Sequence, residues 1–348
     1  MRDIRDNHGA GLSDAPAPIH RPREFRIILL GYPPPTATSL ELTILATMLL
    51  LNPARTGGAK IQRYPTLHTA GKTDRILIVA PHIDDESIGA GGYAIDAIAN
   101  GADVYVVFLT AGDCNRFSAR LMYKTLEPTA SDFLGVGNAR IREAGHAMQL
   151  LGIPRDHYFV LGYPDRGLRT MVDNPGAIIR SKATRESSVP YADAVTPRAD
   201  YTYDSMMRDL TKVVSIVKPT TVIAPVPFDH HSDHSAAAEI TDAALEALQS
   251  HPSRLGYLVH TARSRIHTAF MKTPRRAILP PTRMQSFSWA TYGLSTAVQH
   301  TKAEILMTYK SQRPYVFLLR NAFVRQNELF YLYPARQDTS PRIPIAEP

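Results

Sequence analysis

The chain has 348 residues, 44% of them hydrophobic and 20% charged, with 39 Lys and Arg against 32 Asp and Glu for a net charge of +7. That composition is ordinary for a soluble globular protein with a core, in one large α/β domain or two modest ones, and the basic balance favours an anionic partner. No dense Lys/Arg run with interleaved aromatics occurs, which argues against nucleic acid, and the single cysteine, Cys114, excludes an intramolecular disulfide and a Cys-rich zinc site.

Residues 1–70 read as an N-terminal extension with a partly disordered start: a polar, Pro-containing opening, a short apolar stretch from Leu40 to Leu51, and a close at Gly57-Gly58. The opening MRDIRDNHGAGLSDAPAPIH is too polar for a secretory leader. The Leu40–Leu51 stretch, with Glu41 inside it, is too short to span a bilayer, so membrane contact through 38–52 is disfavoured. A cytoplasmic location is expected, in keeping with the lone thiol.

From Arg75 the pattern changes to alternating elements. RILIVA (75–80) predicts a buried strand, Ser87–Asn100 a helix and DVYVVFLT (103–110) a second strand. Asn138–Leu151 predicts a helix, HYFVL (157–161) a third strand, Arg208–Val217 a helix and TVIAPV (221–226) a fourth strand. Ser235–Gln249 and Thr301–Lys310 read as helices, and NELFYLY (327–333) as a late strand. The alternation predicts an α/β fold: an open, mostly parallel, Rossmann-like sheet with helices on both faces. Residues 71–333 form the expected domain. Residues 164–205, rich in Pro, Arg, Asp and Ser, read as a long insertion or lid loop, 262–295 as a second irregular segment, and 334–348 as a flexible tail.

Two clusters carry chemistry, each directly after a predicted strand, where open α/β sheets bind ligands. In Pro81-His82-Ile83-Asp84-Asp85-Glu86, one imidazole and three carboxylates crowd against an apolar strand, a desolvation cost that a divalent cation would offset. If a helix starts there, His82 and Asp85 face one point and Asp84 lies beside it, placed as a base. In Phe228-Asp229-His230-His231-Ser232-Asp233-His234, one of His231 and His234 can be a ligand while the other faces the substrate. Two His and one Asp form an ordinary zinc sphere with a position left for water. DDE alone would also fit a helix N-terminus; two such clusters in one sheet fit a metal site better. Gly89-Ala90-Gly91-Gly92 is no dinucleotide loop, because PHIDDESI fills the turn where its first glycine belongs.

PHIDDE resembles the (A/P)HPDDE motif of the LmbE/PIG-L deacetylases, with Ile83 where Pro is usual, and HSDH (231–234) resembles their HxDH motif. Thr110-Ala111-Gly112-Asp113, Arg140 and Glu143, Leu151-Gly152-Ile153, Tyr163-Pro164-Asp165, and Lys302 to Leu306 with Tyr309 to Gln312 fall in the order of that family. The resemblance covers about residues 73–333 and implies an LmbE-like fold. It implies His82, Asp85 and His234 as zinc ligands, with Fe2+ as the alternative metal. It implies Asp84 as general base on the zinc-bound water, His231 as oxyanion stabiliser and proton donor, and Asp233 as the group orienting His231. Asp165 and Arg116 are implied as contacts to sugar hydroxyls. The implied reaction is hydrolysis of the N-acetyl group of a GlcNAc-type amino sugar conjugate, a small molecule for which the basic charge favours an anionic carrier. An Fe(II) oxygenase and a non-catalytic sugar-binding relative are the alternatives. Asp84 argues against both, since neither needs a base beside a complete ligand set. Some relatives carry a mobile Tyr two residues before the first His of HxDH; Asp229 stands there in this chain.

Overall fold

Five apolar runs line up as parallel strands: β1 (Arg75–Ala80), β2 (Asp103–Thr110), β3 (Tyr158–Tyr163), β4 (Thr221–Pro225) and β5 (Ser253–Tyr257). Two antiparallel strands, β6 (Trp289–Gly293) and β7 (Asn327–Leu332), complete a seven-stranded sheet of order β3-β2-β1-β4-β5-β7-β6. The computed structural model describes residues 64–261, 277–312 and 322–334, all within one unit beginning at Ala59. The expectations for residues 1–63, for 262–276 of the second irregular segment and for the tail beyond Pro334 lie outside the described residues. Thr66 pairs with Thr291, and the Thr69 hydroxyl lies 2.7 Å from that of Tyr292, so the residues just before β1 are fastened to β6.

Alternation along the strands sorts the core onto two faces. In β1, Ile76, Ile78 and Ala80 join one cluster while Leu77 and Val79 join the other. The first face is covered by α1 (Asp85–Ala99), α3 (Ala130–Leu151) and α7 (Thr296–Leu306), through Ile88, Ala144, Met148 and Ile305 among others. The second is covered by α5 (Tyr203–Val217) and α6 (Ser232–Ala247), through Met206, Leu210, Ile240 and Leu245. This is the expected open, mostly parallel sheet with helices on both faces. From β1 the chain moves outward through β2 and β3; it then returns to β4 on the other side of β1. The β1/β4 border is therefore the switch point, at whose carboxyl end open α/β sheets bind their ligands. Both sequence clusters lie there.

Several elements depart from the expected bounds. α1 begins at Asp85 and α3 at Ala130, where Thr129 and Asp132 form a capping box that moves the start eight residues upstream of Asn138. α2 (Arg116–Tyr123), capped by Asn115, was not anticipated; nor were β5 and β6, both too short to stand out from their surroundings. Within residues 164–205 lies the short helix α4 (Leu168–Asp173), and Leu168, Met171, Tyr191 and Tyr201 of this segment are buried in the second face.

Candidate metal centre and active site

The turn from β1 into α1 is held in a strained shape. Asp84, the residue before the helix, has φ 132°, a conformation that costs a non-glycine residue about 1–3 kcal/mol unless its surroundings fix it. Two groups do so. The Glu86 carboxylate accepts the Asp84 amide at 3.1 Å and is itself anchored by the hydroxyls of Ser87 and Tyr309. Arg140, buried on α3, donates to the carbonyls of Ile83 and Gly112 and lies 3.2 Å from Asp84 Oδ1. Gly112, at φ 63°, is required there: a Cβ would sit 2.4 Å from Arg140 Cζ. Burial raises the Asp84 carboxyl to about 7 against the lowering charge of Arg140, with Asp85 and Glu86 adding to the rise.

The turn places the next carboxylate between two histidines. Asp85 Oδ2 lies 3.1 Å from His82 Nδ1 and 3.1 Å from His234 Nε2. On the other ring nitrogen of His82, Nε2 lies 3.3 Å from Asp165 Oδ1 and 3.4 Å from Asp233 Oδ2. On the other ring nitrogen of His234, Nδ1 lies 3.3 Å from Asp229 Oδ2. Each imidazole is thus backed by carboxylates on one side and turned to Asp85 on the other, the arrangement by which outer carboxylates orient metal-ligating histidines.

The second cluster owes its shape to the start of α6. His231 is the N-cap, and its Nδ1 accepts the Asp233 amide at 3.2 Å. Asp229 ties the loop together: Oδ1 accepts the His231 amide at 2.9 Å, and Oδ2 accepts the amides of Val259 and His260 at 3.0 Å each. His260, beyond β5, thereby joins the site, its ring centroid 5.0 Å from that of His231 and 4.6 Å from that of His234.

The electrostatics call for a cation. Asp84, Asp85, Asp165, Asp229 and Asp233 are all buried, with Arg140 beside them. Burial alone would lower the pKa of His234, yet Asp85 and Asp229 raise it to about 9; His82 is likewise raised well above the ordinary imidazole by Asp165, with help from Asp233 and Asp85. Both rings thus sit where the surrounding carboxylates favour positive charge. Both nitrogens of the fully buried His234 nevertheless lack a hydrogen bond of proper geometry, Nε2 lying 3.1 Å from Asp85 Oδ2 and Nδ1 3.3 Å from Asp229 Oδ2 as ion-pair contacts only. Two imidazole nitrogens and one carboxylate oxygen at such a point fit a divalent cation. Ligand atoms of His82, His231 and His234, of Asp229, His234 and His260, and of His82, Asp165 and Asp233 also lie within 4.8 Å of one another in each set.

The sequence-predicted residues therefore converge, with three differences. Asp233 turns its carboxylate to His82 and the Arg166 amide (2.6 Å), not to His231; because His231 is the N-cap, what Asp233 gives it is the backbone amide. Asp165 spends both oxygens on protein groups, His82 Nε2 and the Cys114 amide at 2.8 Å. Arg116 stands outside the cluster, 59% exposed and 3.6 Å from Glu127. Asp229 and His260 were missed as functional groups. Asp229 was visible two residues before HSDH; His260 follows a strand too short to be recognised. Burial lowers His231 to about 4, reinforced by the charges of His82 and His234, so its ring is neutral at neutral pH.

Residues 77–245 match the model of a family described as PIG-L, GlcNAc-PI de-N-acetylase. The chain is 32% identical over 190 residues to a 1D-myo-inositol 2-acetamido-2-deoxy-alpha-D-glucopyranoside deacetylase of Kribbella flavida, covering 52% of this chain and 57% of the relative. It is 29% identical over 202 residues to the enzyme of the same name from Actinosynnema mirum, covering 56% and 61%. The match thus spans less than two thirds of either relative's length. Among solved structures, N,N'-diacetylchitobiose deacetylase from Pyrococcus horikoshii aligns over 86% of this chain and 95% of its own, at 17% identity and a TM-score of 0.46. Among the described residues, no helix is long and apolar enough to cross a membrane.

Proposed function

We propose, from the match of residues 77–245 to the PIG-L family model and the geometry at the β1/β4 switch point, that this protein is a zinc-dependent N-deacetylase. It hydrolyses the N-acetyl group of a GlcNAc-type amino sugar conjugate and releases acetate and a free amine. The observation that carries this reading is the strained, clamped Asp84 carboxylate next to a two-His-one-Asp cation site: a base with no ligand duty, where attack on an amide needs one. The related GlcNAc-inositol deacetylases support the substrate class. An oxygenase or a binding protein has no use for such a base.

His82, Asp85 and His234 would hold the cation. A zinc ion bound there supplies Lewis-acid polarisation of the acetyl carbonyl and a water of lowered pKa. The protein's own groups do the rest. Asp84, ionised above about pH 7 before the cation's charge lowers that value, takes the proton of the attacking water. His231 accepts the Asp233 amide on Nδ1, so its neutral ring carries the proton on Nε2 and presents it as a donor to the developing oxyanion. Asp84, now protonated, is the stronger candidate to return a proton to the departing amine, because His231 has none to spare at neutral pH. Asp165 and Asp233 keep His82 oriented, and Asp229 keeps His234 oriented.

The test is acetate release from N-acetylglucosamine conjugates, GlcNAc-inositol among them, by wild type and Asp84→Asn. Wild type is expected to release acetate with an acid limb in kcat/KM at or below about pH 7, and Asp84→Asn to lose at least about a hundredfold. An Asp84→Asn variant as active as wild type would refute the assignment of the base.

A further inference from the structure

α7 and β7 reach the backbone of α1 through one buried ion pair. Lys302 of α7 and Glu328 of β7 lie 2.6 Å apart, Nζ to Oε1, and both side chains are buried. Each also grips α1. Lys302 Nζ donates to the Ile88 carbonyl at 2.9 Å. Glu328 accepts the Gly92 amide on Oε1 at 2.7 Å and the Tyr93 amide on Oε2 at 2.8 Å. In a regular helix the Gly92 amide bonds the Ile88 carbonyl. Here the pair enters the ladder at those two groups, and such an insertion sets the direction of the helix. Gly92 permits the approach, since a Cβ there would sit 3.1 Å from Glu328 Oε1 and 2.5 Å from Leu294 Cδ2.

We propose that Lys302 and Glu328 are positioning residues for the Asp84–Asp85 turn, acting through the peptide group of Ile88. The Ile88 amide donates to the Asp84 carbonyl at 3.0 Å while its carbonyl accepts Lys302, so one residue separates the ammonium from the residue at φ 132°. Tyr309, just beyond α7, holds the same turn from its other side, through Glu86 and the Asp84 amide. A buried ion pair adds little stability that well-packed apolar side chains of the same volume would not. What it supplies here, and apolar groups do not, is a fixed place for a carbonyl and two amides of α1. The strained Asp84 persists only where its surroundings fix it, and Asp85, next along the helix, carries the oxygen between His82 and His234. The inference deepens the deacetylase reading and rests on it only for the purpose the turn serves.

Hydrogen exchange of the whole protein, read by mass spectrometry on fragments covering residues 82–88, tests it without turnover. Lys302→Met alone leaves the Glu328 carboxylate buried without its cation and risks unfolding. The main variant is therefore Lys302→Met/Glu328→Gln, which removes both charges at nearly constant volume. Val213→Ala, a core substitution on the second face, controls for general destabilisation. In the double variant the 82–88 amides are expected to exchange at least about tenfold faster than in wild type, and the zinc Kd to rise about tenfold; in the control both stay within about threefold. Any of three results would overturn the proposal. These are exchange over 82–88 or a zinc Kd within about twofold of wild type in the folded double variant; equal acceleration in the control, which would make the pair a general support of the core; or outright unfolding of the double variant, which would mean that it holds the whole domain rather than the turn. Should wild type release no acetate from any N-acetylglucosamine conjugate, that failure belongs to the deacetylase reading, and the exchange result still decides the role of the pair.

Discussion

Asp229→Asn should weaken zinc binding although Asp229 is not among the three proposed ligands. The wild-type carboxylate has no proton and meets four donors: the amides of His231 (2.9 Å), Val259 and His260 (3.0 Å each), and His234 Nδ1 (3.3 Å). Asparagine offers one acceptor oxygen. If that oxygen takes the Oδ2 position, the new NH2 confronts the His231 amide; if it takes the Oδ1 position, the NH2 confronts three donors. In either orientation at least one buried donor loses its partner, at a cost of about 1–3 kcal/mol, and the second of the two charges that raise His234, after that of Asp85, is gone. Loss of an outer carboxylate of this kind weakens metal affinity by about 10–100-fold, or about 1.4–2.7 kcal/mol. Competition with a chromophoric chelator measures the zinc Kd of the folded variant, and circular dichroism confirms that it is folded. A Kd within about twofold of wild type would show that Asp229 merely caps the loop and that His234 needs no orienting partner.

Two other substitutions or reactions probe the scaffold. Gly112→Ala places a methyl against the Arg140 guanidinium and forces a left-handed φ on alanine. The strain and the loss of Arg140's hydrogen bonds should cost about 3 kcal/mol, seen as a fall of several degrees in Tm together with at least about a tenfold loss of activity; a Tm within about a degree of wild type would refute the clamp. The Cys114 thiol is pushed up to about 12, chiefly by burial and then by the Asp165 charge. The thiolate is therefore scarce at neutral pH and grows only as pH approaches that value. Alkylation by iodoacetamide at pH 8 should run about a thousandfold slower in the native protein than in guanidinium, read by mass spectrometry. A native rate within about tenfold of the unfolded one would contradict it.

What the sequence could reveal tracks how local each signal is. RILIVA and DVYVVFLT are legible because burial on both faces of a central parallel strand makes them apolar throughout. PHIDDE and HSDH are legible because one turn gathers several ligands into a few consecutive residues. The Thr129–Asp132 capping box was equally local and was passed over. Long-range relations stayed hidden. Nothing near Arg140 indicates that it reaches across 56 positions to Asp84, and nothing near His82 indicates that Asp165 and Asp233 back its Nε2. Asp233 follows His231 closely in sequence, but the helix start turns its carboxylate toward His82, and Asp165, expected at a sugar hydroxyl, meets that same ring from a separate loop. The Pro, Arg, Asp and Ser content of residues 164–205 marks an insertion but gives no sign of how it packs; Tyr191 and Tyr201 above all fix it to the second face.

The central claim is that a cation at His82, Asp85 and His234 is needed for amide hydrolysis. Its most direct test is acetate release from GlcNAc-inositol before chelation, after metal removal and after zinc is restored, for wild type and His234→Ala. The account predicts that wild-type activity disappears with the metal and returns with about one zinc per chain, and that His234→Ala neither binds zinc tightly nor recovers. Wild-type activity that persists in verified metal-free protein would contradict it.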